Sequence, residues 1–129
     1  MTWKITELSA NSVRRALTAD RRIGIYWLLQ PDRDGVFRVR YVGRSLTCLK
    51  RRLLHHASNG YYEAFVFRLL DEVEEVWRAE CREYHLFMPG LDNESHPNSP
   101  NHVHFVFPYC KFGRLESLSE DDSWVGGEA

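Results

Sequence analysis

Two runs rich in β-branched and aromatic residues, Ile23 to Gln30 and Val36 to Gly43, are separated by Pro31-Asp32-Arg33-Asp34-Gly35. Pro, Asp and Gly between two such runs are turn chemistry, so the sequence predicts a β-hairpin, and the rest of the chain is organised around it. If partner numbers sum to 67, Gln30 faces Phe37, Leu28 faces Val39 and Tyr26 faces Tyr41. Cross-strand neighbours share a sheet face, which sets the two phenols side by side, and a slip of one residue would part them. Gly24 and Gly43 remove bulk where a substrate backbone would have to approach.

After Gly43 the apolar period changes from two to 3.6. Leu46, Leu49, Leu53 and Ala57 form the stripe of a helix that Ser45 or Thr47 can cap, and Arg51 and His55 lie one turn apart on it, away from that stripe. Tyr62 to Leu70 reads as a third strand, reached through the Asn59-Gly60 turn, and Asp71 to Met88 as a helix with Val73, Val76, Trp77, Cys81, Tyr84 and Met88 on its apolar face. Glu80 projects from within the edge of that face, whereas Glu83 sits further round towards the polar side. A carboxylate on an apolar face is costly unless it is paired or holds a metal, which makes Glu80 the most anomalous charge in the chain. Leu8 to Ala19 reads as a short amphipathic helix capped by Ser9 or Asn11. Pro89-Gly90 stops the last helix, Leu91 to Asn101 is a polar loop, His102 to Phe107 alternates like a short strand, and the acidic tail from Glu116 has the composition of an unstructured segment. The expected organisation is thus an N-terminal helical extension (1–22), a core (23–93), a C-terminal extension with a short strand (94–115) and a tail (116–129).

The chain of 129 residues, 43% hydrophobic, suits one compact domain. It shows no leader pattern and no apolar run of membrane length, and its three cysteines have no repeated spacing, so a cytoplasmic protein with reduced thiols and no membrane partner is expected. The net charge of -1 conceals a division. Residues 1–52 hold 12 Lys and Arg against 4 Asp and Glu, a net +8, while residues 53–129 hold 5 against 14, a net -9. The basic half carries the tyrosines, an arrangement suited to a phosphate backbone and its condensed counterions.

Gly24-Ile25-Tyr26, Tyr41-Val42-Gly43, Arg51 and His55 at ten and fourteen residues beyond Tyr41, Glu80, Pro89 and Asn93 together resemble the GIY-YIG nuclease family over about residues 22–93. The second motif differs from the family's only by Val for Ile. The resemblance implies an α+β fold, a small three-stranded antiparallel sheet flanked by helices in the order β-β-α-β-α, and a metal-dependent endonuclease acting on DNA in repair, restriction or mobile-element biology. It assigns Tyr26, Tyr41, Arg51, His55 and Glu80 as catalytic and Glu80 as the ligand of Mg2+ or Mn2+. Arg40, Arg44, Lys50, Arg52 and Asn93 are the expected DNA contacts. Hard divalent cations prefer oxygen and often take one or two carboxylates, the rest being water and phosphate. The Arg51 fork would bind a phosphate oxygen, Tyr26 would orient or deprotonate the attacking water, and Tyr41 and His55 would position it or relay a proton. Glu83 is the alternative metal ligand.

Cys81 and His85, with His96, His102, His104 and Cys110, are spaced too loosely for a recognisable structural zinc site, and a small buried cysteine with exposed histidines is the preferred reading. The alternative function is a non-cleaving module that binds nucleic acid or protein. No separate specificity domain accompanies the core, so target choice would come from a homodimer, a protein partner or the C-terminal segment.

Overall fold

The computed structural model describes residues 4–88 and 90–93 of the chain. The elements run β1 (Thr6–Glu7), α1 (Ala10–Ala16), β2 (Ile23–Pro31), β3 (Phe37–Ser45), α2 (Leu49–Asn59), β4 (Ala64–Leu70) and α3 (Val73–Phe87). The described sheet has four strands in the order β1-β4-β2-β3, all antiparallel, rather than the expected three. The added strand is β1, whose two residues pair with Phe65 and Ala64 and are too short to carry a period in the sequence. The segments expected as a C-terminal strand (His102 to Phe107) and tail lie outside the described residues.

The β2–β3 turn forms as its composition demands. Asp32 Oδ1 accepts from the N–H groups of Asp34 (2.8 Å) and Val36 (3.0 Å), its Oδ2 accepts from Arg38 Nε (2.9 Å), and Gly35 supplies the positive φ of 83°. Beyond the turn the pairing departs from the expected register. Pro31, Gln30 and Leu29 face Phe37, Arg38 and Val39, then a bulge between Leu28 and Leu29 skips Arg40, and Leu28, Trp27 and Tyr26 face Tyr41, Val42 and Gly43. Tyr26 is therefore opposite Gly43, not Tyr41. Tyr41 stands two residues along β3, diagonal to Tyr26 and on the same face.

Two cores cover the two faces. Tyr26, Leu28 and Phe65 pack with Val13, Leu17, Leu49 and Leu53 from the α1 and α2 side. Ile25, Trp27, Leu29, Val42 and Val66 pack with Val76 and Ala79 of α3 on the other. Leu46, expected on the α2 stripe, precedes the helix and packs into the α3-side core. The N-cap of α2 is Cys48, whose Sγ accepts from Arg51 N at 3.4 Å, while Ser45 Oγ accepts from Thr47 and Cys48 N one step earlier. Ser9 caps α1 as expected, accepting from Ser12 N at 3.2 Å. Among the described residues no helix is long and apolar enough to cross a membrane.

Gly43 has a specific steric reason. A Cβ there would fall on the Cζ and hydroxyl of Tyr26, a ring only 1% exposed and unable to swing aside. Gly43→Ala should therefore destabilise the fold by roughly 1–3 kcal/mol, the usual cost of overpacking a core. Urea unfolding measures it, and unchanged stability would mean that the ring does not lie over this backbone.

Candidate active site

On the α2 side of the sheet, three rings meet. The Tyr26 hydroxyl and His56 Nε2 share a hydrogen bond of 2.8 Å. The Tyr26 and Tyr41 rings are stacked at 6.2 Å between centroids, and the His56 ring is 5.3 Å from the first and 5.4 Å from the second. The histidine in contact with the tyrosines is thus His56, not His55. Its ring lies against its neighbour's at 6.0 Å, but His55 is exposed and lines an outer cavity.

The same displacement by one residue affects the arginines. The charge of Arg52 acts on Tyr26, His56 and Glu80. Helix geometry explains both. At about 100° per residue, His56 lies roughly 60° and Arg52 roughly 100° from Leu53, which points into the sheet, while Arg51 and His55 lie roughly 160° from it. Residues that must reach a sheet face have to border the stripe that packs on that face. Arg51, Arg52 and His55 line a cavity of about 320 Å3 with Ser45, Thr47 and Cys48, and Arg51 and Lys50 border a second beside Arg21.

Glu80 reaches the sheet from α3. It is 7% exposed, and its Oε1 lies 3.1 Å from Arg44 Nη1 in an ion pair, although neither atom has an aligned hydrogen bond. Arg44 faces Ile25 across the hairpin, so this pair sits on the face opposite the tyrosines, with Gly43 between. The two halves lie within each other's field, since the charge of Glu80 acts on Tyr26 and that of Arg52 on both. Glu83 is buried too, contrary to its expected place on the polar side. Its Oε1 accepts from Trp27 Nε1 at 3.2 Å. Asn93 is engaged with backbone: its Nδ2 donates to Val42 O (2.8 Å) and its Oδ1 accepts from Val42 N (3.1 Å). Arg40 pairs with Asp92 at 2.6 Å, and Tyr62 donates to the other oxygen of Asp92 at 2.9 Å.

Burial governs the protonation states. It pushes the Tyr26 phenol well above the usual tyrosine range, with Tyr41 and Glu80 adding to the rise and Arg52 opposing it. Burial, then the charges of Arg52 and His55, push His56 down to about 4. The pair therefore stands as neutral phenol and neutral imidazole at pH 7. Burial pushes Glu80 up to about 7 despite the opposing pull of Arg44 and Arg52. A cation here meets one carboxylate, and among the described residues no three His, Cys, Asp or Glu side chains gather to hold a metal. That donor set fits Mg2+ or Mn2+ completed by water and phosphate, and does not fit an all-protein cage. Cys81 is buried, while His96, His102, His104 and Cys110 lie outside the described residues.

Comparison with the models of known protein families, with curated proteins and with solved structures finds no match for this chain.

The raised Glu80 value means that the folded chain holds a proton the unfolded chain releases, so this group's contribution to stability is full below about pH 4.5 and is lost as pH rises through about 7. The depressed His56 value acts oppositely: its contribution is full above pH 6.5 and is lost as pH falls towards about 4. Arg44→Met removes the guanidinium that pairs with Glu80 at 3.1 Å. It should cost about 1–3 kcal/mol at pH 8, where the carboxylate is ionised, and less at pH 5, where it is not. Urea titrations at the two pH values check this, and equal losses would contradict the pairing.

Proposed function

We propose that the chain is a divalent-metal-dependent endonuclease of GIY-YIG type that hydrolyses phosphodiester bonds in DNA, acting in the cytoplasm in repair, restriction or mobile-element biology. The observation that carries this reading is the cluster of Tyr26, Tyr41 and His56 beside Gly43, with Arg52 acting electrostatically on both that cluster and Glu80. A hydrolase of this kind needs an acceptor for the water's proton, a cation on the phosphoryl oxygens and help for the leaving oxygen. The residues divide these tasks.

Tyr26 stays protonated, so it does not act as a standing phenolate. It accepts a proton from the attacking water as its own passes to His56 Nε2, whose neutral imidazole is free to receive it. Tyr41, stacked beside Tyr26, fixes the ring and offers a second hydroxyl to the water. Arg52 takes the role first expected of Arg51, binding a non-bridging phosphate oxygen through its planar fork. Glu80 would hold Mg2+ or Mn2+, which when bound supplies Lewis acidity at the phosphoryl group. Lys50, Arg51 and His55 line the outer basic cavities and serve the flanking phosphates.

The ion pair between Glu80 and Arg44, on the far face from the tyrosines, favours a second reading, a module that binds nucleic acid without cutting it. Cleavage assays on supercoiled, linear, branched and single-stranded DNA in Mg2+, Mn2+ or EDTA separate the two. The nuclease reading expects metal-dependent cutting that Glu80→Gln abolishes and that Arg52→Ala slows roughly 10²- to 10³-fold, as removal of a donor to transition-state charge commonly does. His56→Ala should cost far more than His55→Ala, and Arg51→Ala should weaken binding without a comparable loss of rate. The rate should rise with pH through about 7 as Glu80 ionises. Binding without cutting under all conditions would leave the second reading standing.

A further inference from the structure

The polar end of the tyrosine face holds a cavity that the reaction does not use. Gln30, Arg40, Tyr61, Tyr62 and Asp92 line a volume of about 370 Å3, within the range of roughly 300–1,000 Å3 in which proteins take up small organic groups. Tyr61 is 73% exposed, the most exposed of the large hydrophobic side chains among the described residues. Gln30 Oε1 is buried with no hydrogen-bond partner among the described residues. Leaving a buried acceptor unsatisfied is costly, and a turn of the Gln30 amide towards the cavity it lines would let it accept from a donor that arrives from outside. The cavity is electrostatically unlike the basic ones by α2. Arg40 is already neutralised by Asp92 at 2.6 Å, and Tyr62 is tied to the same carboxylate, so a phosphate has little to gain here. A flat, neutral group with ring nitrogens, carbonyls and amino N–H groups has more.

The position follows from the strand. Gln30 is four residues beyond Tyr26 on the same face of β2, about 13 Å along it. The Tyr62 ring is 6.2 Å from Tyr41, itself 6.2 Å from Tyr26, so an aromatic row leads from the candidate reaction centre to the cavity.

We propose that this cavity is a subsite for an unpaired nucleobase next to the cut phosphate, with Tyr61 as the stacking surface and Gln30 and Arg40 reading the base edge. The proposal rests on the nuclease reading and adds the substrate class: DNA carrying an extrahelical or single-stranded base beside the scissile position. An aromatic platform accepts any base and favours one already out of the stack, because the cost of unstacking has been met.

The test uses the full chain in EDTA, with three labelled DNAs: a blunt duplex, the same duplex with one extrahelical 2-aminopurine, and the single strand. Anisotropy should show the duplex with the extrahelical base bound roughly tenfold tighter than the blunt one, with quenching of 2-aminopurine on binding. Tyr61→Ala should abolish both the preference and the quenching while leaving blunt-duplex affinity unchanged, and Tyr61→Phe should keep them. An absent preference in the unmodified chain, or one retained by Tyr61→Ala, overturns the subsite. If metal-dependent cleavage persists in that case, the subsite alone has failed. If the chain binds no DNA of any shape, the nuclease reading and the subsite fall together.

Discussion

The single extra residue in β3 decides what the α2 face of the sheet can do. The turn at Asp32 to Gly35 sets a pairing in which Gln30 meets Arg38, and carried on unbroken it would put Tyr41 opposite Trp27 and away from Tyr26. The bulge at Arg40 shifts the remainder of β3 by one, which turns Tyr41 onto the face of Tyr26 and sets Gly43 beneath the Tyr26 ring. A strand has only two faces, so one inserted residue changes every side chain beyond it. The pairing of β2 with β4 sets the same parity independently, since Tyr26 meets Phe67 and Leu28 meets Phe65, and all four line the α2 side.

Much of this was legible beforehand because it depends on composition and period. Alternation, turn residues and the change of period after Gly43 suffice to place β2, β3, α2, β4 and α3 within a few residues. The proximity of Tyr26 and Tyr41 was legible too, but for an incomplete reason: a bulge leaves no mark in the sequence, and two departures of one residue each restored the face that a straight count had assumed. Arg51 and His55 show the opposite case. Counting from Tyr41 ignores the length of the Leu46 to Cys48 connection, which here leaves the inward-bordering positions to Arg52 and His56. The better signal was present in Leu49 and Leu53, both fully buried. These leucines orient the helix, and the residues flanking them, not those opposite, face the sheet.

Electrostatics gives Glu80 its character. The cost of a carboxylate within the edge of the apolar face formed by Val76, Trp77 and Cys81 made it stand out in the sequence, but its partner is 36 positions earlier on the hairpin and no periodicity connects them. The structure answers with two guanidinium groups, Arg44 in contact and Arg52 in range, and burial still outweighs both. A carboxylate poised near neutrality is an acceptor whose charge depends on what else is brought to it. Glu83, one turn on, is equally buried and accepts from an indole N–H, so two carboxylates at the same depth differ in the groups that meet them.

The open edge of β3 shows why the end of the described fold belongs to the site. An edge strand presents unpaired N–H and C=O groups, and here Asn93 meets both groups of Val42 with one amide while Asp92 N donates to Arg40 O at 2.6 Å. Residues 92 and 93 thereby follow the edge much as a neighbouring strand would, and hold the two positions flanking Tyr41. The side chain of Asp92 then ties Arg40, the bulged residue, to Tyr62, whose ring packs against Tyr41. Asn93 reaches the site through this backbone contact. Its amide closes the edge, the closed edge holds the bulge, and the bulge holds Tyr41 over the face on which Tyr26 and His56 meet.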